Sequence, residues 1–246
     1  MKHMKTLLLL TAITFPLFAS ASDTCQSTTL MATYNIEQTT HDAASNKQNQ
    51  LVLLRAQNSV FHISNQQVAT QWTTLPHNHM KKTSYFIDDK RAIEYEATKT
   101  ISNQAWQYHA QLLHPLFQKQ STLIETTGQG CDKLEHYQQQ TNTKTVDIWW
   151  FPAKKLVQRI STVLSDKSES ADKAVNWQLT DVTYDNKMIQ EQLDTFSTYQ
   201  STDFADIGDN ESDPFFRKMI NLGFIEHSAS GFYDSEGNSL SSAHQH

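Results

Sequence analysis

The stretch Thr145–Val163, TVDIWWFPAKKLVQRISTV, decides the fold, because it reads as two β-strands joined by a tight turn. Val146, Ile148 and Trp150 fall on one side of the first strand and Thr145 and Asp147 on the other, the period-two pattern of a half-buried strand. Leu156 and Ile160 continue an apolar face on the second. Pro152 presets φ at the first central position of the turn, and Ala153 and Lys154 are expected to complete it without a positive φ. Two strands alone are marginal in water, so this hairpin needs further strands and a cover.

Upstream strands are plentiful. From Tyr34 to Ala97, short runs such as Tyr34/Ile36, Leu51/Leu53, Phe61/Ile63, Val68/Trp72, Tyr85/Ile87 and Ile93/Tyr95 alternate with polar turn formers, among them Ser45-Asn46-Lys47, Asn65 and Asp88-Asp89. No glycine precedes Gly128, so Asn and Asp are expected to supply any positive φ in these turns. Spacing this short predicts an antiparallel meander, since parallel strands require longer crossovers.

A helix is predicted over 103–113, capped by Ser102, with Trp106, His109 and Leu113 at i, i+3 and i+7 and Pro115 beyond its end. Strands resume at 121–125, 134–140 and 175–184, the last with Val175, Trp177 and Leu179 on one face; the charged, serine-rich 166–173 reads as a loop. Asp185 opens a second helix over 186–197 with Ile189, Leu193 and Phe196 on its apolar side. Asp213-Pro214 starts a third over 214–222, with Phe215, Met219 and Leu222 as its face and Gly223 as its end.

The order of these elements, together with the late hairpin residues Ile148, Trp149, Trp150, Phe151, Pro152, Leu156 and Arg159, resembles the exported half-barrel family of the lipoprotein carrier LolA, the receptor LolB and the sensor domain RseB. At residue level only the hairpin carries the resemblance. It implies an α+β fold, mostly antiparallel β, in which a curved sheet or half-barrel is covered by a few helices. It also implies an acyl chain or lipid held between sheet and helices.

Met1–Ala21 has the layout of a secretory signal: Lys2 and Lys5, an apolar run from Leu7 to Phe18, and Ala19-Ser20-Ala21 as the cleavage site. That run is shorter than the roughly 20 residues of a bilayer span, and no later segment is long and apolar enough to be one. The expected organisation is therefore a signal at 1–21, one β-rich domain at 22–225 and a polar tail at 226–246, with the mature chain in the periplasm or secreted. Losing Lys2 and Lys5 makes the remainder more acidic than the −6 of the whole chain, and with no basic cluster this argues against nucleic acid as a partner. Cys25 and Cys131 are the only cysteines. In an oxidising compartment they are expected to pair rather than to serve as reactive thiols.

His77-Asn78-His79-Met80 is the sharpest metal candidate: two His one residue apart share a side of an extended strand, and Met80 adds a soft thioether suited to copper. A polar turn after Pro76 is the competing reading. His244 and His246 can add imidazoles from the tail, whereas His109 is expected to be a satisfied core residue and His62 has no spacing to recommend it. Asp209, Glu211 and Asp213 have the spacing of a calcium loop, but Pro214 and Ile220 occupy the positions that demand Gly and Glu. No GxSxG, HExxH, CxxC, P-loop or GxGxxG motif occurs, so the chain leans away from catalysis. A binding protein for an apolar or lipid-like ligand, or for an envelope protein partner, leads. Handling of copper or zinc by His77, His79 and Met80 is the alternative, and no motif requires a cofactor.

Overall fold

The structure, a computed structural model, describes residues 25, 28–39, 46–98, 103–164, 173–210 and 212–224. The expected signal, the tail, most of the 166–173 loop, Ser102, Glu211, His244 and His246 lie outside these residues.

Twelve strands form one open, curved sheet. Chain order is β1 (Leu30–Thr39), β2 (Lys47–Ala56), β3 (Ser59–Ser64), β4 (Val68–Leu75), β5 (His79–Phe86), β6 (Arg91–Glu94), α1 (Asn103–Gln111), β7 (Thr122–Thr127), β8 (Leu134–Gln140), β9 (Lys144–Phe151), β10 (Leu156–Leu164), β11 (Lys173–Thr183), α2 (Asn186–Ser197), β12 (Gln200–Asp203) and α3 (Pro214–Asn221). Within the sheet the order is β12-β6-β5-β4-β3-β2-β1-β11-β10-β9-β8-β7. The two meanders meet where β1 pairs antiparallel with β11, through a bulge after Thr33. The fold is α+β, as expected. The sequence pattern gave no sign of β12, which runs parallel to β6.

Alternation along the strands separates two faces. Tyr34, Leu51, Leu53, Val60, Ile148 and Trp150 belong to one cluster, and Leu54, Phe61, Ile63 and Ala69 to another on the reverse. The first face is concave: the Tyr34 hydroxyl donates to the Val157 carbonyl at 3.0 Å, a contact that spans from β1 past β11 to β10. Burial holds the Tyr34 phenol protonated by raising its pKa. The cover on this face comes from α1 and the segment after it. Leu113 and Phe117 are buried in the concave cluster, and Phe117 meets Tyr137 and Trp150 edge-on.

The three helices cover different parts of the sheet. The α2 side chains Ile189 and Phe196 pack on the reverse of β2–β4, where Phe196 stacks on Phe61 and Tyr85. The Asp185 side chain accepts from the Lys187 and Met188 N–H groups, the cap that the sequence indicated. At the far end, α3 presents Phe215, Phe216, Met219 and Ile220 to Phe86 and Ile93. Leu222, expected on that buried side, is 59% exposed because the helix has already ended there. Asp213 caps α3 through the Phe215 N–H and pairs with Arg91 at 3.0 Å. Those bonds, the backbone one first, hold its carboxyl below the usual carboxylate range.

The hairpin is present as read, with two differences. Its turn closes with Lys155 at φ 50 rather than without a positive φ, because β9 and β10 are joined by four residues whose last must reverse the chain. A bulge follows Val157, so that Val157 pairs with Trp150 and Ile160 with Ile148. Leu156 and Val157 are consequently both fully buried. The disulfide joins Cys25 to Cys131 with the Cα atoms 5.3 Å apart, linking the approach to β1 with the turn before β8.

Candidate functional site

Strand pairing sets Ile36, Trp177, Ile160 and Ile148 in register across β1, β11, β10 and β9. The same row continues through Tyr137 on β8 and Leu123 on β7. It is a transverse apolar row with one residue per strand on the concave side. Ile148 and Tyr137 are buried, Ile36, Ile160 and Trp177 are only partly so, and Leu123 is half exposed. The other face of these strands is polar: His136 bonds Asp147 at 2.8 Å and stacks on Trp149, Arg159 lies over Trp149, and Ser161 donates to Asn176. Period-two patterning thus gives this half one apolar and one water-facing surface.

Where α1 crosses the concave face, β3 and β4 supply an aromatic nest. The Trp72 and His109 rings stack at 4.0 Å, and His62 meets Trp72 edge-on at 4.6 Å. His62 Nε2 lies 2.8 Å from the His109 carbonyl. Burial lowers the pKa of both imidazoles, that of His109 to about 4. His109 Nδ1 is buried with no hydrogen-bond partner, so His109 is not the satisfied core residue expected. His62, for which the sequence offered no argument, is its neighbour through tertiary packing alone.

Next to this nest, a cavity of about 300 Å³ opens between α1 and the sheet, bounded by Arg55, Val60, Trp106, Ala110, Lys154 and Lys155 among others. On the reverse face, a groove of about 540 Å³ runs beside α2 with Phe61, Tyr85, Ile189 and Leu193 in its wall. A further opening of about 730 Å³ adjoins Tyr95, Phe204, Glu94 and Asp203. There Glu94 is bonded to Lys81 and Ser201, which lower its pKa against the opposing effect of burial.

The metal candidates are placed differently from the extended geometry expected. His77 sits in the 3-10 turn Pro76–Asn78 with φ 61, Asn78 follows at φ 58, and His79 begins β5. The two imidazoles therefore do not share one side of a strand. Met80 is part of β5 and bridges to Thr98. Among the described residues, no three of His, Cys, Asp and Glu gather as a metal site.

No family model matches the sequence. No curated protein matches it either. Among solved structures, PNGF-II is similar over 72% of this chain at 11% identity and a TM-score of 0.37, and the matched part is 32% of that protein, so this chain spans about a third of it. A LolA superfamily protein from Nitrosomonas europaea matches 66% of this chain and 89% of its own length at 9% identity and a TM-score of 0.29. A DUF1329 family protein from Desulfovibrio piger matches 67% of this chain and 88% of its own at 6% identity and a TM-score of 0.29. A LolA superfamily structure is thus among the solved structures to which this chain is similar.

Proposed function

We propose that the chain is an exported binding protein that holds an apolar, lipid-like ligand against the concave face of its sheet. The observation that carries this reading is the row Ile36, Trp177, Ile160, Ile148, Tyr137 and Leu123, an apolar surface opposite a polar one and incompletely covered by the segment around α1. In this reading residues 1–21 direct export and are removed, 22–225 form the binding domain and 226–246 are a tail. The Cys25–Cys131 disulfide supports an oxidising compartment. No helix of the described residues is long and apolar enough to cross a membrane.

Each methylene of an acyl chain transferred from water to such a face contributes about 0.8 kcal/mol, so ten methylenes supply roughly 8 kcal/mol before ordering costs. Organic extracts of gently purified protein are expected to contain co-purified lipid by mass spectrometry, and an environment-sensitive fatty-acid probe is expected to bind and to be displaced. Clean extracts together with a probe that neither binds nor quenches Trp fluorescence would falsify the reading.

An envelope protein partner is the second reading, favoured by β7. All six residues of that edge strand are exposed, Leu123 and Ile124 by about half. An unpaired edge of this kind can accept a strand from another chain. Crosslinking from a photoreactive residue at Thr126 to an envelope protein, combined with clean lipid extracts, is the result that would favour it.

A further inference from the structure

The turn of the hairpin is held from a distance by Arg55 on β2. Its Nη2 donates to the Lys154 carbonyl at 3.0 Å and its Nη1 to the Lys155 carbonyl at 3.3 Å. The side chain crosses the curved sheet to do so and is 8% exposed. A guanidinium offers five N–H groups in a planar fork. Two carbonyls use two of them, and Nε is buried with no partner. Neither carbonyl carries a charge to offset that of the arginine. Among the described residues, no carboxylate pairs with Arg55, and the titratable groups acting on it are the Tyr34 and Tyr184 phenols. Clamping a turn needs donors, which a neutral amide supplies without placing an unpaired charge in the interior.

The charge faces a cavity of one sign. Arg55, Lys154 and Lys155 are the ionisable residues bordering the α1 cavity among the described residues, in a chain whose net charge is −6. Lys154 is partly engaged, with Asp132 at 2.7 Å and the Phe151 ring beneath its ammonium, whereas Lys155 is exposed at the rim. The remaining wall combines Val60, Trp106 and Ala110 with amide and hydroxyl side chains such as Gln107 and Ser59. We infer that this cavity is the seat of an anionic group, a carboxylate or phosphate, that heads an amphiphilic ligand, with Arg55 as its buried counter-charge and Lys155 as its rim. Arginine suits this role because its fork matches the oxygens of either anion. The apolar wall continues from the cavity under α1 toward the concave cluster, where Val60 is itself a member. The inference rests on the apolar-ligand reading for the tail of that amphiphile, but the anion site stands on Arg55 and its cavity.

The test compares oleate, below its micellar concentration, with oleyl alcohol of the same tail, and adds inorganic phosphate as a tail-free anion, all by calorimetry on the oxidised, tag-free chain. Oleate is expected to bind at least about tenfold more tightly than the alcohol, as a charge-assisted hydrogen bond implies. That ratio is expected to fall several-fold in Lys155→Glu and to vanish in Arg55→Met. Should Arg55→Met not fold, Lys155→Glu decides, since its exposed side chain is not needed for packing. Equal affinity for oleate and alcohol overturns the anion site while leaving the apolar reading intact, as does a preference unchanged by Lys155→Glu. Phosphate binding that is lost in Lys155→Glu, with neither oleate nor alcohol bound, supports the anion site with a free phosphate as its source and overturns the apolar reading. No binding by any of the three overturns both.

Discussion

The two halves of the sheet use the same alternating pattern for different ends. In β2–β4 both faces are apolar: Leu53 and Val60 face the concave cluster, and Leu54, Phe61 and Ile63 face α2. This half is a three-layer structure with helices on either side, and Leu53, Val60, Leu54 and Phe61 are almost completely buried by folding. In β7–β11 the reverse face is solvated by His136, Asp147, Asn176 and their neighbours, and the concave face keeps Ile160, Trp177 and Ile36 only partly covered. The difference teaches where to look for function. A side chain whose burial is complete contributes stability, and one left half-covered in a row with others is available to a ligand.

The disulfide is the sharpest way to break the comparison, because it ties the approach to β1 to the turn before β8. Its loop spans 106 residues, and opening it is expected to lower stability by about 4 to 5 kcal/mol on the chain-entropy account. Denaturant midpoints with and without reductant measure this, and an unchanged midpoint would show that the halves hold together without it. In the helix-covered half, Phe216→Ala removes a side chain that is 1% exposed and is expected to cost about 3 to 5 kcal/mol. Retention of the wild-type melting point would mean that α3 is dispensable to the sheet.

Acid is expected to act through the aromatic nest beneath α1. The His62 and His109 imidazoles have folded pKa values below their unfolded values, that of His109 at about 4. Between the ordinary histidine value and about 4 the unfolded chain therefore binds more protons than the folded one, and stability falls as pH falls through that window. The loss is expected to reach about 2 kcal/mol after solvent screening of the partly exposed His109 ring. Urea unfolding at pH 7 and pH 4.5 reads it, and His109→Leu should flatten the difference. A slope identical in the variant would move the acid sensitivity to carboxylates such as Asp213.

On the open row, Ile160→Ala is expected to cost no more than about 1.5 kcal/mol of stability, since its methylenes are already partly in water. It should nevertheless weaken fatty-acid probe binding several-fold. A stability loss as large as that of Phe216→Ala would show that Ile160 is core, and the contrast between the halves would disappear.

The sequence by itself determined the local elements. Period-two runs located most of the strands, Asp185 and Asp213 announced helix starts that their side chains do cap, and two cysteines in an exported-looking chain announced their bond. These are readable because each depends on neighbours in the chain: alternation, a cap two or three residues from its N–H, a composition. Tertiary structure alone decided which face each helix covers, since an apolar helix stripe states that it will be buried and not against what. It decided β12, a four-residue strand too short and polar to signal itself. It also placed His77 in a turn of positive φ, outside the strand that His79 begins. Arg55 and Trp177 were invisible as site residues for the same physical reason. Charge burial and half-coverage are properties of what lies across a curved sheet, up to 100 residues away in the chain.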